Sequence, residues 1–323
     1  LKHFDDAIED EAAQVLEPQL LSLLCGRINN EDYIDKFILV GDHKQLPAVV
    51  QQTRDKSAIP QGSILRTAGL TDCRNSLFER LYRLHENTSK GVIGKLTRQS
   101  RMHPLVGEFA SRWFYDGELH SRDNDHQTRE LAFANYDKTD PLETFVATHR
   151  IGFAPSGQTP VNDSHKINRE EARTVALLAK AVFSLYGKNN REFNKDKTIG
   201  VIVPFRNQIA QIRKELRDLN VPEALATVTI DTVERFQGSA RDVIIFSTTI
   251  SQSYQKDILS VRGEDADGDE DSIPVDRKLN VAITRAREQL FVTGNESLLR
   301  EIPVYEELIC WLIDKDGALI IGH

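Results

Sequence analysis

Several short runs along the chain consist of apolar residues with no polar alternation: Phe37-Ile38-Leu39-Val40, Ile199-Gly200-Val201-Ile202-Val203, Val243-Ile244-Ile245-Phe246 and Leu290-Phe291-Val292. Runs of this length predict strands covered on both faces, as in a parallel sheet. A further short strand is expected to end at Asp10. Between the strands the apolar spacing changes to three and four. Helices are predicted over Gln19–Leu24, over Ser76–Leu84, around Phe109, Trp113, Phe114 and Tyr115, over Ile209, Ile212, Leu216 and Leu219, and over Ser297–Leu312. Another starts at Asn168, with Glu171 at capping-box spacing, and runs to about Tyr186 with Val175, Leu178, Ala179 and Val182 on its apolar face. Alternating strands and helices predict a doubly wound α/β fold. Residues 51–71 and 120–160 show no usable period. The turn-rich segment Glu86–Gly91 marks a boundary, giving expected domains over 1–90 and 91–323.

A chain of 323 residues with 40% apolar residues is long enough for two domains with full cores. It has no uncharged apolar run long enough for a membrane span, and its first residues lack the apolar segment of a signal peptide. Cys25, Cys73 and Cys310 lie far apart and form no C-x-x-C, so a zinc or iron–sulfur site is not expected, and a reducing, intracellular (cytoplasmic) setting is. The net charge of −8 argues against a protein held to nucleic acid by bulk charge. It leaves room for a local basic track, because affinity depends on the cations that meet phosphates. Part of the deficit lies in Gly263–Asp271, an acidic run that reads as a solvated loop and lacks EF-hand spacing. Met102 is the sole methionine, and the sequence reads as a piece of something larger.

Chemistry concentrates where strands end. Asp10-Glu11-Ala12-Ala13-Gln14 puts two acids at a strand's carboxyl end, and Gly41-Asp42-His43-Lys44-Gln45-Leu46-Pro47 follows the next strand, where α/β folds bind ligands. In Val228–Ser247 a polar turn with Gly238 feeds a buried strand.

These segments, with Leu96-Thr97-Arg98-Gln99-Ser100-Arg101-Met102-His103-Pro104, Pro204-Phe205-Arg206-Asn207-Gln208 and Lys278-Leu279-Asn280-Val281-Ala282-Ile283-Thr284-Arg285-Ala286-Arg287, resemble in order the motifs of superfamily-1 helicases, in the branch of replication and nonsense-decay helicases. Their motifs read D-E-A-x-Q, G-D-x-x-Q-L-P-P, Q-Y-R-M-H-P, T-V-x-x-F-Q-G-x-E-x-D-V-I-I and L-N-V-A-L-T-R-A-R. The departures are Glu9 before the acid pair, Ala48 for a proline, Ser100 for a tyrosine and Ala240 for a glutamate. The resemblance implies a P-loop NTPase of RecA-like fold: an incomplete first RecA-like domain and a complete second one with a parallel sheet. It implies ATP and Mg²⁺ as cofactors, with Asp10 holding Mg²⁺ through water and Asp42 bracing the metal shell. Glu11 would be the base for the attacking water, Gln45 the phosphate sensor, Arg101 a γ-phosphate contact and Arg285 the arginine finger. Gln237, Gly238 and Arg287 would lie near the nucleotide, with an ordinary salt bridge as the competing role for Arg287. Pro204, Phe205, Thr232 and Arg235 would contact single-stranded nucleic acid.

The phosphate cradle G-x-x-x-x-G-K-[ST] does not occur; Gly91–Leu96 has the wrong spacing. The resemblance would place that loop in a missing segment ahead of Leu1. The whole is therefore expected to be an ATP-dependent helicase or translocase, monomeric, working 5′ to 3′ and favouring DNA over RNA, with this chain alone inactive. A non-catalytic helicase-like interaction module, an RNA helicase and a nuclease-fused repair enzyme remain the alternatives.

Overall fold

Two parallel strands, β1 (Phe4–Glu9) and β2 (Ile34–Leu39), pair with Ala7 opposite Phe37, Ile8 opposite Ile38 and Glu9 opposite Leu39. This computed structural model describes residues 3–28, 31–86, 91–157, 166–259, 275–315 and 317. The acidic run Gly263–Asp271 and most of the turn at Glu86–Gly91 lie outside them. The chain packs as two compact units, Leu1–Lys95 and Leu96–His323.

In the first unit the strands are flanked by α1 (Glu17–Leu24) and α2 (Leu77–His85). Helix α1 opens on Pro18, which suits a first turn whose N–H groups have no helical partner. Ser76 caps α2 by accepting the Glu79 N–H at 3.1 Å. Arg80 of α2 grips Glu17 of α1 with Nε and Nη2 at 2.8 and 2.6 Å. Such a forked pair fixes orientation as well as distance. Equal strand ends and tied helices bring the turns after β1 and β2 to one edge.

The second unit is built on five strands: β3 (Ile151–Pro155), β4 (Ile199–Val203), β5 (Thr229–Thr232), β6 (Arg241–Ser247) and β7 (Ala286–Gly294). All pair in parallel, in the order β3-β7-β6-β4-β5. Val243, Ile244, Ile245 and Phe246 of β6 are buried, as a strand covered on both faces requires. The helices are α3 (Pro104–Phe114), α4 (Pro141–Thr148), α5 (Arg169–Lys188), α6 (Arg206–Asp218), α7 (Val233–Phe236), α8 (Arg277–Ile283) and α9 (Pro303–Asp314). One face of the sheet is sealed by α4, α5 and α6 around Val175, Leu178, Val182, Ile212, Leu216 and Phe291. This is the parallel α/β architecture of a RecA-like domain. Chain direction across the sheet reverses between β6 and β4, the kind of point where α/β sheets bind ligands.

Three expectations need correction. Residues 120–160, without visible period, contain α4 and the edge strand β3, whose sequence IGFAP carries a glycine and a proline that weaken any strand signal. The expected single helix over Ser297–Leu312 is two: a turn at Glu296–Leu299 and then α9. Pro303 forces the break, because the residue before a proline is driven out of the helical region, and Ile302 sits at φ −108°, ψ 113°. Asn168 caps α5 through the Glu171 N–H at 3.0 Å, yet Glu171 does not return the favour as a capping box would. Its carboxylate turns into the sheet. No helix among the described residues is long and apolar enough to cross a membrane.

Candidate functional site

At the carboxyl edge of the first unit the Asp10–Glu11 turn and the Gly41–Gln45 loop are stitched together. The Val40 N–H donates to Glu9 O and the Ala12 N–H to Val40 O, each at 2.8 Å. Gly41 permits the approach: a Cβ there would lie 2.9 Å from Ala13 N and 3.3 Å from Ala12 N. Asp42 then organises its loop, taking the Lys44 N–H on Oδ1 and the Gln45 Nε2 on Oδ2, both at 2.9 Å. Glu11 has φ 54°, left-handed backbone that a side chain of its kind rarely adopts. Its N–H bonds Asp10 Oδ1 at 2.9 Å and its Oε2 accepts from Gln14 Nε2 at 2.8 Å. Strain of this kind costs about 1–3 kcal/mol and persists where the surroundings impose it. Asp10, Glu11 and Asp42 supply carboxylate oxygens only, a donor set that suits Mg²⁺ with part of its water shell retained.

At the amino ends of β6 and β7, in the second unit, the Gln99–His103 loop, the Gln237–Arg241 turn and the Thr284–Arg287 segment converge. Arg101 Nη1 donates to Thr284 O at 3.2 Å. The His103 N–H bonds Arg287 O at 2.7 Å and the Arg241 N–H bonds Arg285 O at 3.0 Å. Arg285 is 2% exposed, with Nε on Val281 O and Nη2 on Thr284 Oγ1, both at 3.0 Å. Arg287 is exposed, and its Nη1 lies 3.9 Å from Asp242 Oδ1, so the salt-bridge role is met at long range. Burial pushes the Asp242 carboxyl up to about 6, helped by Glu288 and opposed by Arg287, Arg191 and His126. Gln237 Nε2 is buried with no hydrogen-bond partner among the described residues, and Gly238 takes φ 76°. A buried amide donor without a partner, in the turn that leads into β6, fits a ligand that offers an acceptor.

His103 serves the same loop. Its Nδ1 accepts the Leu105 N–H at 3.2 Å and so starts α3. Burial, and after it the Arg150 charge, push its pKa down to about 4, so the ring is neutral at physiological pH.

The residues expected at nucleic acid lie elsewhere. Pro204 and Phe205 follow β4, Thr232 ends β5 and Arg235 lies in α7, so they sit toward the carboxyl edge of the sheet. Arg206, Ile209, Ala210, Asp231 and Arg235 line an open groove there. Phe205 is only 8% exposed, too buried to offer its ring as a stacking platform for a base. The second unit thus keeps its two sets of expected residues at different ends of the strands.

Glu171 is marked in the sequence only by its capping-box spacing, not as a buried acid. It is wholly buried; Oε1 accepts from Ser247 Oγ (2.8 Å), the Thr249 N–H (2.9 Å) and Thr293 Oγ1 (3.1 Å), and Oε2 lies 3.0 Å from the same N–H. The signal was there: Glu171 stands four residues before Val175 and seven before Leu178, on the apolar stripe of its helix.

Family comparison agrees with the motif order. A family model described as an AAA domain matches residues 73–297, more than half of the chain, and a second of the same description matches residues 1–53. The Arabidopsis thaliana protein "Probable helicase MAGATAMA 3" is 29% identical over 95% of this chain. The chain belongs to the superfamily-1 helicases. The Dictyostelium discoideum "Regulator of nonsense transcripts 1" is 30% identical over 97% of this chain, and the Xenopus laevis "DNA replication ATP-dependent helicase/nuclease DNA2" is 28% identical over 96%. The chain spans 32%, 20% and 26% of the lengths of these three relatives.

Proposed function

We propose that the chain supplies the acid, sensor and arginine-finger parts of an ATP-dependent helicase or translocase that moves 5′ to 3′ on single-stranded nucleic acid, DNA in preference to RNA. The observation that carries this is the meeting of Arg101 with Thr284 O, beside Arg285, since two guanidinium-bearing motifs far apart in sequence share one edge. Bound ATP supplies the phosphoryl group whose transfer to water drives the cycle. Asp10, with Asp42 behind it, would hold Mg²⁺ through water. Glu11 would accept the proton of the attacking water, and Gln45, kept in place by Asp42, would sense the terminal phosphate. Arg285 and Arg101 would stabilise the charge that builds on the phosphate oxygens. Gln237, Gly238 and Arg287 would border the nucleotide. Thr232, Arg235 and the Pro204–Phe205 backbone would track the strand's phosphates, which position without reading sequence.

The DNA preference and the polarity follow the branch resembled, and one relative's printed name associates it with DNA replication. The full-length protein is taken as intracellular and monomeric. By itself this chain, which carries no G-x-x-x-x-G-K-[ST] cradle, should turn over negligible ATP. The rival reading is a helicase-like interaction module without ATPase; Ser100 and Ala240, which depart from the motifs, favour it. The deciding experiment measures ATP hydrolysis by the full-length protein with single-stranded DNA or RNA as stimulator, and strand displacement from 5′- and 3′-tailed duplexes. Stimulation by DNA above RNA with displacement from 5′ tails is expected. No hydrolysis with either polymer would favour the interaction module.

A further inference from the structure

The segment 120–160, which carries no recognisable motif, places two side chains against the loop that bears Arg101. A single helical turn, Asp125–Thr128, follows Asn124. Gln127 is 1% exposed and every part of its amide is used. Oε1 accepts the Asn124 N–H at 3.2 Å, while Nε2 donates to Met102 O at 2.8 Å and Gln99 O at 3.2 Å. Two carbonyls as partners fix which end of the amide points at the loop. From within the loop, Gln99 completes the clasp: its Oε1 accepts the N–H groups of Arg101 and Met102 at 2.8 and 2.7 Å, and its Nε2 donates to Met102 O at 2.8 Å. His126 Nε2 lies 3.2 Å from Arg101 O. That partner is a carbonyl, so Nε2 carries the proton.

Arg101 is therefore held at its N–H by Gln99, at its C=O by His126 and at its guanidinium by Thr284 O. The flanking Gln99 and Met102 carbonyls both rest on Gln127. We propose that Gln127, seconded by His126, is a positioning residue for Arg101: it fixes the backbone from which that guanidinium reaches phosphate. The proposal rests on reading Arg101 as a phosphate contact. The physical stake is large, because a displacement of about 1 Å at a reacting centre can lower turnover by about a hundredfold.

The test is single-strand-stimulated ATP hydrolysis by the full-length protein carrying Gln127→Glu, Arg101→Ala, or both. Gln127→Glu keeps the volume and replaces a donor by an acceptor facing two carbonyls, so the clasp should open. The expected result is a kcat lower by about tenfold to a hundredfold, with KM for ATP changed by less than about threefold, and no further loss when Arg101→Ala is added. A fall in melting temperature with kcat unchanged, or losses that multiply in the double variant, would overturn the positioning role and leave the Arg101 reading intact. An Arg101→Ala protein with unaltered kcat would overturn that reading and the proposal with it. Should Gln127→Glu fail to fold, His126→Ala takes its place: a drop in kcat absent from the Arg101→Ala background supports the clasp, and unchanged kcat overturns it.

Discussion

Glu171 offers a sharp test of how the second unit is held together. Its carboxyl is fully buried, and burial pushes its pKa up to about 7 from the usual 4.5 in spite of the hydrogen bonds from Thr249, Ser247 and Thr293 that lower it. Because the folded value is raised, the folded state holds a proton that the unfolded chain has released. Stability from this group is therefore fully present below about pH 4.5 and is lost as pH rises through about 7. The shift corresponds to about 3.5 kcal/mol at most, since one pKa unit is about 1.4 kcal/mol. Asp242, raised to about 6, adds a slope of the same sign in an overlapping window, so the informative quantity is the difference between variant and parent. Glu171→Gln is neutral and nearly isosteric; urea denaturation at pH 5 and pH 8 should show a smaller pH-dependent loss than the parent. Glu171→Ala should be worse at both pH values. It leaves the Thr249 N–H without an acceptor, at about 1–3 kcal/mol, and forfeits about 0.8 kcal/mol for each buried methylene. A Glu171→Gln protein with the parent's full pH slope would refute this account of the carboxyl.

Other consequences can be checked in the same protein. His103 has a pKa depressed to about 4 from 6.5, so stability should fall as pH drops from about 6.5 toward 4; His103→Asn, which can still cap α3, should flatten that loss in thermal melts read at successive pH values. Gly41→Ala should push the Asp42 loop away from Ala12–Ala13, because its Cβ would meet backbone nitrogen at 2.9 Å; destabilisation of about 1–3 kcal/mol in urea denaturation and a clear loss of ATP turnover are expected. Phe109→Ala should cost about 3–5 kcal/mol by the same assay, as Phe109 is wholly buried and stacked on Trp113 at 4.5 Å.

Much of this architecture was readable because its strands are uniformly apolar and its helices strictly periodic. Val243–Phe246 and Ile199–Val203 could hardly be anything but central strands, and the stripe on α5 located a sheet face. What escaped was held by tertiary context. Strand β3 lies at the sheet edge with glycine and proline in it, and β5, Thr229-Ile230-Asp231-Thr232, is half polar. Glu171 has the spacing of a capping box, and only the neighbouring Ser247, Thr249 and Thr293 reveal that its carboxylate goes inward. The motif residues were legible as types, whereas their supports were not: nothing about Gln127 marks it until Met102 O and Gln99 O are beside it. The left-handed backbone of Glu11 likewise has no counterpart in residue pattern, since glutamate is a poor candidate for positive φ.

The central claim is that the arginines converging in the second unit serve the same hydrolysis as the acids of the first. Its most direct test is kcat for single-strand-stimulated ATP hydrolysis by the full-length protein with Arg285→Ala. The account predicts a fall of about a thousandfold or more in protein that a thermal melt shows to be folded; a fall of less than about tenfold in such protein would contradict it.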